Sequence, residues 1–109
     1  MFVIDKDKKI ILTKGDTATI HVAVQTLDGK PYDIKPTDVI TMSVRKTPNS
    51  EIGFSKEATQ EHFIIINPED TEDLKSGLYC YDVQLQSDGS VFTIVPMRFF
   101  ELRDEVTNG

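Results

Sequence analysis

The sequence predicts an all-β domain, an immunoglobulin-like antiparallel β-sandwich of about seven strands with one short helical turn. Three observations lead there. Apolar side chains alternate with a two-residue period in Thr17–Thr26 and again in Val39–Lys46. The stretch Asn67–Leu85, NPEDTEDLKSGLYCYDVQL, reads as an acidic helical turn, a glycine break and then a strand with tyrosines on one face. Finally, Ser87-Asp88-Gly89-Ser90 is a strong hairpin signal between two strand-like runs. In sandwiches of this class a Tyr at the start of a late strand returns its hydroxyl to the backbone just upstream, and Tyr79 stands at that corner.

Each element follows from local chemistry. Ile10–Thr13 is a short β-branched run, and Lys14-Gly15-Asp16 supplies a turn into the next strand, so these two strands are expected to pair with each other. In Thr17–Thr26, Ala18, Ile20, Val22 and Val24 take the inward face while Thr19, His21, Ala23 and Gln25 face out. Asp28-Gly29-Lys30-Pro31 ends that strand, and Pro36 keeps the connection irregular. Ile40, Met42 and Val44 then define a third core strand, and Phe54–Ala58 is an edge strand poor in core residues. His62–Ile66 is β-branched and almost continuously apolar, which suits a strand with contacts on both faces or one near the sandwich corner.

Asn67 before Pro68 forms an N-cap and first-turn pair, and Glu69, Asp70, Glu72 and Asp73 favour the positive end of a helix dipole. Gly77 is expected to end the turn, after which Tyr79, Tyr81, Val83 and Leu85 share one face. The final strand, Val91–Leu102, contains Pro96, which marks a bulge or a break and, being unable to complete a ladder, makes this strand an expected exposed edge beside Phe54–Ala58. The expected core is therefore Ile20, Val22, Val24, Ile40, Met42, Val44, Tyr81, Val83 and Leu85. Residues 1–109 read as a single domain with its core over about 10–102 and a tail over 103–109.

With 12 basic and 18 acidic residues the chain carries a net charge of −6, which opposes nucleic-acid phosphates, so no nucleic-acid partner is expected. Lys6, Lys8 and Lys9 read as a solvated approach to a strand. The single cysteine, Cys80, excludes an intrachain disulfide and reads as a buried thiol. Charge appears at Asp5, too early for a signal peptide, and no apolar run has the length of a membrane span, so neither export nor membrane insertion is expected.

Candidates for chemistry are sparse. His21 and His62 lie on different strands with no ligand-spaced Cys or carboxylate, the reading being rim residues and not a zinc site. The acidic group Glu69, Asp70, Glu72 and Asp73, like Asp5-Lys6-Asp7, lacks the alternating ligands and central Gly of a calcium loop. No Ser, Cys or Thr sits in a recognisable nucleophile motif. The expectation is a protein without enzymatic activity, metal or cofactor. The residues singled out are structural: Gly15, Asp16, Gly29, Gly77, Tyr79, Tyr81 and Gly89.

Taken in order, Gly15-Asp16-Thr17, Asp28-Gly29-Lys30-Pro31-Tyr32-Asp33, Pro68-Glu69-Asp70-Thr71 and Gly77-Leu78-Tyr79-Cys80-Tyr81-Asp82-Val83-Gln84-Leu85 resemble small virion proteins of tailed phages that infect Gram-positive bacteria. The pattern is similar to the N-terminal immunoglobulin-like module of the baseplate upper protein family and spans about Ile10–Leu102. In that family the module docks on the tail tip, and later segments present the receptor-binding proteins. These 109 residues hold no such later segment. The resemblance implies a phage or prophage structural protein of the tail or baseplate, located in the virion and assembled in the bacterial cytoplasm. Its partners would be other phage structural proteins or further copies of itself, met through a sheet face or an edge strand. The alternative is an immunoglobulin-like carbohydrate-binding or adhesion module. Such sites use exposed aromatics, and this chain has no Trp and only Tyr32 as an obvious loop aromatic.

Overall fold

A computed structural model describes residues 2–4, 8–26 and 28–104. Lys6, Asp5, Asp7 and most of the expected tail lie outside the described residues. The protein is a mostly-β small domain: β1 (Phe2–Ile4), β2 (Ile10–Thr13), β3 (Ala18–His21), β4 (Val39–Arg45), β5 (Ile52–Glu57), β6 (Phe63–Ile66), the turn α1 (Pro68–Thr71), β7 (Gly77–Ser87) and β8 (Ser90–Arg103). Seven of the eight strands have four residues or more, and β1, which the sequence reading did not anticipate, has three. Six strands form one curled mixed sheet in the order β1-β2-β8-β7-β4-β5, and β3 and β6 form a second sheet of two, so the expectation of wholly antiparallel sheets is corrected at the parallel β2/β8 pair.

The expected pairing of β2 with β3 is corrected. Instead β2 runs parallel to β8, Ile10 beside Phe100 and Thr13 beside Arg103, while β3 crosses to pair antiparallel with β6. The Lys14-Gly15-Asp16 turn is real, with the Asp16 N–H donating to the Thr13 carbonyl at 3.1 Å, but it changes sheets and makes no hairpin. A hidden tether fixes the crossing: the Gly15 N–H donates to the Thr71 hydroxyl at 3.2 Å, and Thr71 is fully buried. The strand expected over Thr17–Thr26 is shorter than its period, since the ladder stops at His21. Beyond it Val22 and Val24 stay buried, held by single bonds from the Val22 N–H to the His62 carbonyl and from the Tyr32 N–H to the Val24 carbonyl.

Apolar phase decided the core correctly. Val22, Val24, Ile40, Met42, Val44, Tyr81, Val83 and Leu85 are buried together, and Ile20 packs against them half-buried. The largest fully buried side chain is Phe100, joined by Ile10, Leu12, Ile64, Ile66 and Leu102. The core therefore lies between the concave face of the large sheet and the β3/β6 pair. Phe54 reaches it from edge strand β5, its ring 6.1 Å from that of Phe100 in an edge-to-face arrangement.

The helical turn forms as its residues dictate. Pro68 occupies the first turn, and the Asp70 carboxylate accepts the Asn67 N–H at 2.7 Å, half of a capping box. Asp70 also pairs with Lys56 of β5 at 3.0 Å. Gly77 does not terminate this turn. The helix closes at Glu72, whose N–H donates to the Pro68 carbonyl, and Gly77 opens β7 with a φ of 149°.

Candidate assembly surface

The β7–β8 hairpin is the longest structure in the chain, and its geometry starts at the turn. Asp88 and Gly89 both take positive φ, 51° and 83°, between paired Ser87 and Ser90. That is the backbone a two-residue hairpin loop requires, and Gly89 supplies it without steric cost. Lys35 reaches across from the loop between β3 and β4 to pair with Asp88 at 2.9 Å, and this carboxylate raises the Lys35 pKa above its ordinary value. Beside it the Tyr32 hydroxyl donates to Asp38 Oδ2 at 2.8 Å, and the Lys35 N–H donates to the same oxygen at 2.9 Å. The Ser87 hydroxyl first, then the Lys35 N–H, hold Asp38 below the usual carboxylate range. Tyr32, the expected loop aromatic, thus has its hydroxyl engaged and its ring packed against the core.

Pro96 lies in a bulged strand, as expected. Pairing runs from Ser87 with Ser90 to Gln84 with Thr93, then shifts to Val83 with Val95 and again to Tyr81 with Arg98, so β8 carries an extra residue near Ile94 and another near Pro96. These shifts reorient the apolar residues of β8. Val91, Phe92, Met97 and Phe99 are 58%, 54%, 48% and 55% exposed, whereas Phe100 and Leu102 beyond the second bulge are buried. A signal for this was present in the sequence: VFTIVPMRFF places apolar residues on both phases of a two-residue period, which a strand with one solvated face does not need. The sequence reading singled out the strand as an edge without naming these side chains.

Neighbours on the other side of β8 are uneven. In the sheet order β8 is internal, yet β2 accompanies only Phe100–Arg103, so among the described residues Ser90–Phe99 has a strand partner in β7 alone. The expectation of an edge through Pro96 thus holds for most of the strand. Phe54–Ala58 was the other expected edge, and β5 does end the large sheet.

The two tyrosines of β7 brace this arm at its base. The Tyr79 hydroxyl donates to the Lys75 carbonyl at 2.6 Å, the corner bond expected, and Lys46 Nζ sits 4.7 Å above its ring centre. The Tyr81 hydroxyl donates to the Lys8 carbonyl, joining the hairpin to the chain ahead of β2. Lys9 pairs with Glu101 at 3.1 Å, and Arg103, then Lys9, hold the Glu101 carboxyl below its ordinary range. Gly15 and Gly29 take positive φ in their turns, as their positions implied.

The chemistry-bearing residues are otherwise occupied. Cys80 is buried, on the face opposite Tyr79 and Tyr81, with its thiol 3.5 Å from the Arg45 carbonyl. His21 is exposed and stacks edge-on with Phe63 at 5.1 Å, and His62 occupies a turn with a φ of 69°. His62 and Asp38 line a cleft of about 530 Å³ with Ile34, Lys35, Ala58 and Thr59. Among the described residues no three His, Cys, Asp or Glu side chains are grouped to hold a metal ion, and no helix is long and apolar enough to cross a membrane. Comparison of the sequence with protein-family profiles and with curated protein sequences finds no match.

Proposed function

We propose that this protein is a non-enzymatic structural module of a tailed-phage or prophage particle, an immunoglobulin-like sandwich that works by protein–protein assembly in the tail or baseplate. The observation that carries the reading is the hairpin arm: a strand edge that, among the described residues, has no partner beyond β7 and bears Val91 and Phe92, both more than half exposed. A lone surface apolar residue needs no explanation, but adjacent ones on an unpaired edge are a pairing template that proteins normally blunt with charge. The ordered motifs from Gly15 to Leu85 supply the class of assembly by resemblance. Support for the immunoglobulin-like assignment comes from the parallel β2/β8 pairing, the opposed β3/β6 pair and the Tyr79 corner.

The carbohydrate-binding alternative is weakened by Tyr32, whose engaged hydroxyl and packed ring leave it a poor stacking platform for a sugar. The test is co-purification of the tagged protein with tail and baseplate proteins from induced cells, alongside a glycan array. Capture of tail components supports the proposal. Binding to a defined glycan with no tail component retained would overturn it.

A further inference from the structure

The outer face of the large sheet, turned away from the core, carries an exposed apolar stripe that the hairpin edge does not account for. We infer that a second copy of the chain packs across it face to face, about a two-fold axis running over Ser43 and Cys80. This deepens the assembly reading and rests on it.

The ladders define the stripe. Ile52 pairs with Arg45, Arg45 with Cys80 and Cys80 with Phe99, which makes one continuous row across β5, β4, β7 and β8. Val44, Tyr79 and Phe100, next to members of that row in the chain, are buried in the core, so the row itself faces outward. Leu78, two residues before Cys80, extends it on one side. On the other side Met97 lines a hollow of about 190 Å³ together with Arg45, Cys80 and Asp82. Of the six most exposed large apolar residues among those described, Ile52, Leu78, Met97 and Phe99 therefore lie together here. Toward the hairpin tip the same face turns polar, with Thr41, Gln84 and Gln86. A sheet face divided in this way has one half suited to water and one suited to a partner.

Charge selects the partner. Ser43 pairs with Asp82 in the row beside Arg45 and Cys80, so these four residues mark the corners of a rectangle, the two charges on one diagonal and two small neutral side chains on the other. Arg45 and Asp82 are both half-buried. Among the described residues neither has an ion pair, and the Arg45 guanidinium donates only to the Ser50 carbonyl, at 3.3 Å. A partner of one sign would neutralise one of these charges and bury the other unpaired, which is costly. A second copy turned about the Ser43–Cys80 diagonal neutralises both, because the rotation brings each Arg45 over the other copy's Asp82.

The same rotation sets Leu78 against Phe99 and Ile52 against Met97 of the other copy, so the apolar side chains cover one another. Only neutral side chains meet their own images at the axis, where identical charges would repel. With about 4.8 Å between strands and about 6.8 Å between alternate residues, the strands of the two copies cross at roughly 70°, near the orthogonal class of sheet packing.

The experiment is sedimentation equilibrium of the full chain across a concentration series, repeated for four variants whose folding is checked by circular dichroism. The parent is expected to form a dimer. Arg45→Asp sets two like charges against each other and should weaken the dimer at least about tenfold. Adding Asp82→Arg should restore it, since the exchanged signs are again complementary. Phe99→Asp, at an exposed position in the stripe, should also weaken it, whereas Gln86→Lys, at the polar end of the same face, should leave it intact.

A strictly monomeric parent overturns the inference, as does a dimer that ignores Arg45→Asp or Phe99→Asp, one lost with Gln86→Lys, or a double variant that fails to recover. A monomer that still captures tail proteins sinks the face-to-face pairing and leaves the assembly function standing. A dimer that responds as expected but captures none supports the pairing and removes the phage reading.

Discussion

Replacing Tyr79 by Phe isolates the corner hydrogen bond. Phenylalanine fills the same space, so the ring stays buried and the Lys46 ammonium stays over its face, 4.7 Å from the centre. What disappears is the donation to the Lys75 carbonyl at 2.6 Å. A bond of this kind contributes about 0.5–1.5 kcal/mol net, and an orphaned buried acceptor would add to that. Lys75 is exposed, so water can replace the lost donor and the cost should lie near 1 kcal/mol. For a domain of this size that corresponds to a fall in Tm of about 4–8 °C. Thermal and urea unfolding followed by circular dichroism measure it, with the urea slope unchanged because the buried surface is unchanged. Amide exchange should quicken locally between Lys75 and Leu78. A Tm within about 1 °C of the parent would refute the reasoning, since it would mean that the strand start is fixed by packing alone.

Three other perturbations test separate joints of the structure. Thr71→Val keeps the shape of a fully buried side chain but removes the acceptor of the Gly15 N–H, and should cost about 1–3 kcal/mol in urea unfolding. Gly89→Ala meets no neighbouring atom, so its whole effect is backbone strain at a φ of 83°, about 1–2 kcal/mol, readable as a lower Tm. Asp38 is depressed in the folded state, so its stabilisation is present in full above the usual aspartate range and is lost as pH falls below that range and through the lowered pKa. Asp38→Asn should therefore flatten the acid limb of stability against pH, and an unaltered limb would remove Asp38 from the network at the hairpin tip.

Period and turn chemistry made much of the fold legible. The phase of β4 and β7 was readable because one face of each is buried over its length, and the Asp88-Gly89 turn because few residues tolerate its backbone. Partner choice was not. The Gly15 turn is compatible with either a hairpin or a change of sheet, and what selects the second is Thr71, distant in sequence and identified only by its burial. β1 escaped notice because three residues are too few to show a period. In the assembly surface the edge was readable from Pro96, but the exposed residues required the two register shifts, which depend on how β7 and β8 align.

The open edge follows from where β2 begins. In the parallel register that sets Ile10 beside Phe100, a longer β2 would run backward through Lys9 and Lys8 and cover Phe99 and Arg98. Instead Lys8 takes a φ of 61°, outside the extended range, and its carbonyl accepts the Tyr81 hydroxyl. On the near side of that point Ile4 pairs back onto Ile10, so the chain has reversed direction and is committed to β1. Tyr81 is thus more than a core residue of β7. By holding the Lys8 carbonyl it anchors the chain just ahead of β2, and among the described residues no strand lies along Ser90–Met97 on the side away from β7. The sequence feature that predicted the fold, a tyrosine strand after a glycine break, and the surface proposed for assembly are therefore consequences of one arrangement: the same strand that organises the core on one side determines how far its neighbour's edge remains open.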